Sequence, residues 1–187
     1  MGDGLAQEVI VTNKRIAVGM ALLRDMARIR EFELAAKEAK ASGEVPGTLH
    51  LCIGQEAVAA GVCSNLELKD YITSTHRGHG HVIAKGADVT AMMCELFGRA
   101  TGTCKGKGGS MHIADFSVGI LGANGVVGGG IGIAVGAAYA SRLQSRDSIS
   151  VCFFGDGGVN RGPFLEGLNW ARLFDLPVLF VCEDNAF

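Results

Sequence analysis

The sequence lacks the features that define several large functional classes. Lysine and arginine together number 17 against 19 aspartates and glutamates, a net charge of −2, so the chain has no electrostatic basis for binding nucleic acid or an acidic membrane. It has six cysteines, but no pair is separated by only two residues, which argues against a zinc site and favours buried, reduced thiols. Because no secretory signal is visible either, we expect a cytoplasmic protein.

Two common nucleotide-binding signatures are also missing, although the 28 glycines are about twice the usual share. In the basic segment Gly102–His112, Gly108 follows Lys107 where a P-loop requires serine or threonine. We interpret this segment either as a mobile functional loop or as a plain surface turn. In Gly130–Val135, valine stands where the fingerprint GxGxxG requires its last glycine, which argues against a Rossmann dinucleotide site.

Charge is absent from one long stretch, Val118–Ala140, over 23 positions. Its length would allow a membrane span, but Asn124 and eight glycines make it poorly apolar. We therefore predict two separate pieces. Leu121–Gly128 is predicted to be a turn close to a ligand, and Ile131–Arg142 a helix with small residues on one face.

The remaining pattern alternates helices and strands, which predicts an α/β fold with a mostly parallel sheet and helices on both faces. We divide the chain into an N-terminal arm, residues 1–13, and one domain, residues 14–187. A doubly wound sheet would normally continue after Phe187, so we interpret the chain as a fragment truncated at its C-terminus. Helices are predicted over residues 14–41, 55–62, 88–96 and 163–174, and strands over residues 71–75, 148–154 and 177–182.

The stretch Val151–Phe187 organises the chain, because it reads as strand, acidic glycine turn, helix and strand. Asp156 and Asn185 each follow the carboxyl end of a strand. Parallel neighbouring strands lie about 5 Å apart, and ligands of open α/β sheets bind at that edge. Carboxylate and amide oxygens suit magnesium or calcium. The sequence therefore predicts an oxygen-ligand metal site beside a bound phosphate, which the glycines after Asp156 would let approach the backbone.

A histidine-rich segment, His76–His81, follows the predicted strand over residues 71–75. Arg77 has a planar guanidinium that can hold two phosphate oxygens, and His76 and His79 would add donors to the same anion. The spacing HxxHxH also leaves open a transition-metal site. His50, between two leucines, is either a hydrogen-bonded core residue or part of a cofactor site.

Five motifs in this order resemble one family closely. They are GTLHLCIGQEA, HRGHGH, GKGGSMH, GANGVVG and a GDG followed by a distal asparagine, Asn185. The chain is similar to the α subunit of the first component of 2-oxo acid dehydrogenase complexes, which includes pyruvate, branched-chain and acetoin dehydrogenases. HRGHGHVIAKG and GGSMHIAD look most like the acetoin branch. The resemblance covers the chain from about residue 14 to its end.

The resemblance implies a thiamine-diphosphate-binding fold, and it implies which residues would bind Mg²⁺ and the diphosphate. Asp156, Asn185 and the backbone carbonyl of Phe187 would hold Mg²⁺. The backbone of Gly157 and Gly158 would contact the diphosphate. Arg77, together with His76, would bind the terminal phosphate, although many members have tyrosine at the position of His76.

The resemblance also implies how the organic part of the cofactor and the partners are placed. Gly125 and Val127 would present backbone groups to the aminopyrimidine, and His50 and His79 would support catalysis along the active-site approach. The activating glutamate would come from a β subunit, in an assembly of two α and two β chains. The acyl unit would pass to a lipoyl-bearing transacylase.

The substrate is left open by these motifs. Acetoin, pyruvate and branched-chain 2-oxo acids all require the same cofactor anchor. An inactive fragment that keeps only the fold is the alternative of a different class.

Overall fold

The computed structural model describes the backbone of residues 2–185 and the side chains of residues 14–185. Its centre is a parallel sheet of four strands in the order β2-β1-β3-β4. The strands are β1 Tyr71–Thr75, β2 Ile120–Asn124, β3 Ser150–Gly155 and β4 Val178–Glu183. The predicted parallel sheet is therefore confirmed.

Six α-helices accompany the sheet within the described residues. They are α1 Gly2–Ala41, α2 Glu56–Cys63, α3 His79–Ala84, α4 Val89–Leu96, α5 Gly129–Leu143 and α6 Gly162–Leu173. The helix α1 begins before the predicted start at Lys14, in a segment that contains good helix formers. The division of the chain at residue 13 into an arm and a domain stays a prediction. None of the helices described is both long and apolar enough to cross a membrane.

Helices cover both faces of the sheet, and β3 shows why. Its consecutive residues point to opposite faces, so Val151 and Phe153 pack with α1, α2, α3 and α4, whereas Cys152 and Phe154 pack with α5 and the start of β4. The strand is buried along almost its whole length, as expected for a central parallel strand. All six cysteines are unpaired, and three of them are buried.

One strand was not predicted. The first half of the segment predicted as a turn, Leu121–Gly128, belongs to the strand β2, which pairs with β1 from Ile72 to Thr75. The segment lacks the run of β-branched residues that signals a strand, and its pairing shifts register between Ile72 and Thr73. Pairing with the buried strand β1, rather than local propensity, therefore makes this segment a strand.

Candidate cofactor site

A cleft of about 380 Å³ lies at the carboxyl edge of the sheet. The chain leaves β1 for β2 on one side and reaches β3 on the other side, so the strand order reverses between β1 and β3. Ligands of open α/β sheets bind at such a reversal. The cleft lies there, between Ser74–Arg77 at the end of β1, Phe153–Gly158 at the end of β3, and the end of β4.

The predicted metal ligands Asp156 and Asn185 both line this cleft. The strands β3 and β4 are direct neighbours, and Gly155 pairs with Glu183, so the residues after each strand emerge side by side. The pKa of the nearby Cys182 thiol is raised, first by partial burial and then by the carboxylates of Asp156, Asp184 and Glu183. Three carboxylates therefore lie near one another at this corner, an arrangement that suits a cation. Phe187, the third predicted ligand, lies outside the described residues.

The opposite side of the cleft is suited to an anion. Arg77 lines it, and its Nη1 donates a hydrogen bond to the Leu51 carbonyl at 2.8 Å. This bond fixes the guanidinium, which has five N–H donors in all and so retains capacity for a phosphate. The N-terminal end of α5 also faces the cleft through Gly128 and Gly130, and a helix N-terminus attracts anions.

His76 lines the cleft beside Arg77, and its ring meets the ring of His50 edge to face at a centroid distance of 4.9 Å. Burial, then the neighbouring His50 and Arg77, lower the pKa of His76. Its imidazole is therefore neutral at physiological pH, and an anion placed against it would favour the charged form. The structure thus places His76 and Arg77 together in the cleft, with His50 in contact with His76.

His79 is placed differently from the prediction. Its side chain is fully buried, with Nδ1 2.9 Å from the Glu33 carboxylate and Nε2 3.0 Å from the Ser110 hydroxyl. Both ring nitrogens are therefore used inside the protein, and the expectation that His79 donates to the cleft anion is not met. His81 also turns inward. Among the described residues no group of three or more His, Cys, Asp or Glu side chains could hold a metal ion, so the transition-metal alternative has no support.

The turn after β2 reaches the cleft through one of its two predicted residues. Val127 lines the cleft, whereas Gly125 lies beside the loop that carries Met111 and His112. The Asn124 side chain accepts a hydrogen bond from the Val126 N–H at 2.8 Å, which fixes the turn between β2 and α5.

Several cleft residues were not predicted, among them Gln55, Ser74, Thr75 and Glu183. Gln55 is placed by its neighbour Glu56. The Glu56 carboxylate accepts from the Gly54 N–H and from Arg30, whose hydrogen bond is the largest cause that lowers the pKa of Glu56, to about 2.

The basic glycine-rich segment wraps around a carboxylate of the protein itself. The buried Glu95 carboxylate accepts four backbone N–H groups, those of Cys104 and Gly106 on Oε2 and those of Gly108 and Gly109 on Oε1, at 2.7–3.1 Å. Burial acts to raise the pKa of Glu95, but these donors outweigh it and hold the pKa below its usual range. The loop therefore encloses an anion that the protein itself supplies.

The arrangement of the cleft suits a magnesium-bound diphosphate. One corner supplies a carboxylate and an amide oxygen, which are hard ligands for Mg²⁺. The opposite side supplies a guanidinium and a helix N-terminus for phosphate oxygens. At Gly157 a side chain would meet no protein atom within 4 Å, so the backbone there is open to a ligand.

Comparisons with known proteins agree on one family. The model of the dehydrogenase E1 component family matches residues 24–187. Over 166 residues the chain is 56% identical to the α subunit of acetoin:2,6-dichlorophenolindophenol oxidoreductase from Bacillus subtilis, covering 89% of this chain and 50% of that protein. The corresponding subunit from Cupriavidus necator is 47% identical over 90% of this chain and 50% of its own length.

More distant relatives carry another name. The α subunit of the pyruvate dehydrogenase E1 component from Rhizobium meliloti is 40% identical over 88% of this chain and 47% of its own length. The chain thus spans about half the length of the curated relatives it matches. A solved structure from Mycobacterium smegmatis, provisionally described as a thiamin diphosphate-dependent enzyme, is 21% identical over 70% of this chain and 20% of its own, with a TM-score of 0.42. That likeness is too distant to carry an argument.

Proposed function

This chain belongs to the dehydrogenase E1 component family, and we propose that it binds thiamine diphosphate through Mg²⁺ as part of an α subunit. The enzyme would be an acetoin or 2-oxo acid dehydrogenase. One observation supports the cofactor proposal most directly. Two neighbouring parallel strands end at the same cleft with Asp156 and Asn185, and Arg77 lies in that cleft too.

The chain's own residues would share the work of anchoring. Asp156 and Asn185 would supply oxygen ligands to Mg²⁺, with the carbonyl of Phe187 as the predicted third. Gly157 would let the diphosphate approach the backbone, because nothing occupies the space beside its Cα. Arg77 would bind the terminal phosphate, and the neutral imidazole of His76 would become a better donor as it gains a proton from solution.

The reacting part of the cofactor would lie farther from these residues. When bound, thiamine diphosphate supplies a thiazolium ring that acts as an electron sink for cleavage beside a carbonyl. Val127, in the turn after β2, would contact the aminopyrimidine. Gly125 lies in the same turn, beside Met111 and His112. His50 would contribute through His76, which its ring contacts.

Acetoin is the substrate we favour. The two acetoin-oxidising relatives are 56% and 47% identical to the chain, against 40% for a pyruvate dehydrogenase relative. The anchor for the diphosphate is common to these substrates, so this preference is based on sequence identity and not on the geometry of the cleft.

The described residues offer an anchor but no activating glutamate assigned to the pyrimidine. We therefore propose a β subunit as the source of that acid, in an assembly of two α and two β chains, with a lipoyl-bearing transacylase as acceptor of the acyl unit. The α-subunit names of the relatives support a β partner.

The cofactor proposal can be tested by ligand-dependent stability. Thiamine diphosphate with Mg²⁺, at about 100 times the dissociation constant, should raise the free energy of unfolding by about 2.7 kcal/mol. The substitution Asp156→Ala should abolish this gain. Differential scanning calorimetry of the purified protein with and without both ligands measures it.

A matched control is Asp175→Ala, which removes an exposed carboxylate far from the cleft and should leave the gain intact. If the unsubstituted protein shows no shift with both ligands at high concentration, the cofactor proposal is wrong. If the shift is seen, turnover of acetoin and of pyruvate by the protein together with its β subunit would decide the substrate.

A further inference from the structure

His81 lies directly behind the wall of the cleft, although neither the motifs nor the family name assign it a task. It belongs to α3 and is 3% exposed. Its ring stacks on the ring of Phe153 in β3, with centroids 3.8 Å apart and planes 16° from parallel. Phe153 itself lines the cleft. A polar ring this well packed needs partners for both of its nitrogens.

Both partners are residues of the cleft wall. Nδ1 lies 2.8 Å from the hydroxyl of Ser74 in β1, and Nε2 lies 3.2 Å from Oε1 of Glu183 in β4. An ionised carboxylate only accepts, so Nε2 carries the hydrogen and Nδ1 accepts from the Ser74 hydroxyl in the neutral ring. His81 therefore links β1 to β4 while it stacks on β3, which lies between them.

The contact between His81 and Glu183 affects the position of the end of β4. Among the described strands β4 is outermost and pairs only with β3, through Gly155 and Glu183 at the last position. Asn185, the predicted metal ligand, follows two residues later. The Glu183 side chain is 12% exposed and lines the cleft, so its position and that of the strand end are set together.

We propose that His81 is a positioning residue of the cofactor cleft, which holds the Glu183 carboxylate and thereby fixes the strand end that presents Asn185 to the metal. This inference rests on the proposed binding of Mg²⁺ with thiamine diphosphate. Groups that orient a metal ligand without touching the metal commonly change metal affinity on the order of tenfold or more when they are removed.

The decisive experiment separates the hydrogen bonds of His81 from its packing. His81→Phe keeps an aromatic ring against Phe153 but loses both bonds, and His81→Gln keeps an N–H near the position of Nε2 but loses the ring. We expect His81→Phe to raise the half-saturating Mg²⁺ concentration on the order of tenfold at saturating thiamine diphosphate. His81→Gln should restore most of the affinity. Calorimetric titration of Mg²⁺ into the purified protein measures both.

A double-mutant cycle tests whether His81 acts through Glu183. In the Glu183→Leu background, which lacks the acceptor oxygen, His81→Phe should change Mg²⁺ affinity no further, because the bond to residue 183 is already absent. An equal loss in both backgrounds, or unchanged affinity of His81→Phe alone, would overturn the proposal and leave His81 as a packing residue.

A ligand-free measurement keeps this inference distinct from the proposed function. Long-range ¹H–¹⁵N NMR of the protein without cofactor should show the His81 hydrogen on Nε2. A hydrogen on Nδ1 alone would contradict the link to Glu183, and because this measurement uses the unsubstituted protein, it decides the matter even if the His81 variants are too unstable for titration. If the unsubstituted protein does not bind Mg²⁺ with thiamine diphosphate at all, the proposed function fails, whatever the His81 tautomer is.

Discussion

Two segments of this chain combine a carboxylate with several glycines, and they use the combination in opposite ways. In Gly102–His112 the glycines enclose Glu95, which is fully buried and accepts four backbone N–H groups. In Gly155–Gly158 the carboxylate of Asp156 is exposed at the cleft, and the space beside Gly157 is empty of protein atoms. Similar composition therefore produces a closed structural loop in one place and an open turn at the cleft in the other.

The two segments differ in the source of the anion that their backbone can bind. Backbone N–H groups attract an anion in either case. The first loop meets an anion from its own protein, on the preceding helix α4. The turn Gly155–Gly158 lies at the carboxyl end of the central strand β3, where the cleft leaves room for an anion from outside the protein.

The largest contrast should come from removing one charge at each carboxylate. Glu95→Gln puts an amide N–H against backbone donors that then lack a partner, so we expect the free energy of unfolding to fall by about 3 kcal/mol or more. Asp156→Asn, at the exposed carboxylate, should change it by less than about 0.5 kcal/mol. Urea denaturation of the ligand-free protein measures both.

The control for that pair is Glu38→Gln, an exposed carboxylate on α1, which should behave like the unsubstituted protein. Similar losses at Glu95 and Asp156 would mean that the two segments do not differ in the way described.

A methyl group at a glycine of each segment gives the next contrast. At Gly106, with φ of 74°, a Cβ would lie 2.4 Å from the Gly98 carbonyl carbon, so Gly106→Ala should cost about 2 kcal/mol or more. At Gly157 a Cβ would meet no protein atom within 4 Å, so Gly157→Ala should keep ligand-free stability and weaken thiamine diphosphate binding. Urea denaturation and calorimetric titration separate the two effects.

The opposite result, a stable Gly106→Ala protein or a Gly157→Ala protein with unchanged affinity, would show that the wrong loop has been assigned to the ligand.

The open turn needs a positive group across the cleft, which the closed loop does not. Arg77→Lys keeps the charge but loses the planar fork, so we expect thiamine diphosphate affinity to fall about tenfold, equivalent to about 1.4 kcal/mol. Arg172→Lys, on the exposed face of α6, is the control. Equal affinities for both variants would exclude Arg77 as a phosphate ligand.

The smallest effect concerns pH. Burial, together with His50 and Arg77, lowers the pKa of His76 in the folded protein. Between that lowered pKa and about 6.5, its unfolded value, the unfolded chain binds more protons, so the His76 contribution makes stability rise with pH in that window. A bound diphosphate should raise the His76 pKa, and cofactor binding should take up protons on the acid side.

An NMR titration of the His76 ring with and without thiamine diphosphate checks both directions. His76→Gln should remove the proton uptake without abolishing binding. An unchanged His76 pKa on binding would place the anion elsewhere in the cleft.

The fold and the corner of the cleft that holds Asp156 and Asn185 could be predicted from the sequence because their signals are local. Asp156 and Asn185 follow two apolar strands within one strand–helix–strand unit. Their prediction depended on these two strands being neighbours, and the parallel pairing of Gly155 with Glu183 confirms that they are. Arg77 follows the strand β1 in the same way. The rule that strand ends share an edge was sufficient for these three residues.

What the sequence did not reveal depends on distant partners. His79 looked like a cleft residue from its motif, but its partner Glu33 lies 46 residues away on α1. The strand β2 depends on its pairing with β1, and the glycine-rich loop depends on Glu95. Gln55 and Glu183 carry no local signal of a cleft, because only the packing of several elements brings them to its wall.

The connection between β3 and β4 also bears on how the molecule forms. A short 3₁₀ turn, Asp156–Gly158, and the helix α6 separate these strands, so bringing Asp156 near Asn185 requires one short crossover and little loss of chain entropy. The bond from His81 to Glu183 joins residues 102 positions apart in the chain. It can form only after β1 and α3 have packed against β3 and β4. Because local contacts form faster than distant ones, we expect the ends of β3 and β4 to come together early in folding, before His81 contacts Glu183.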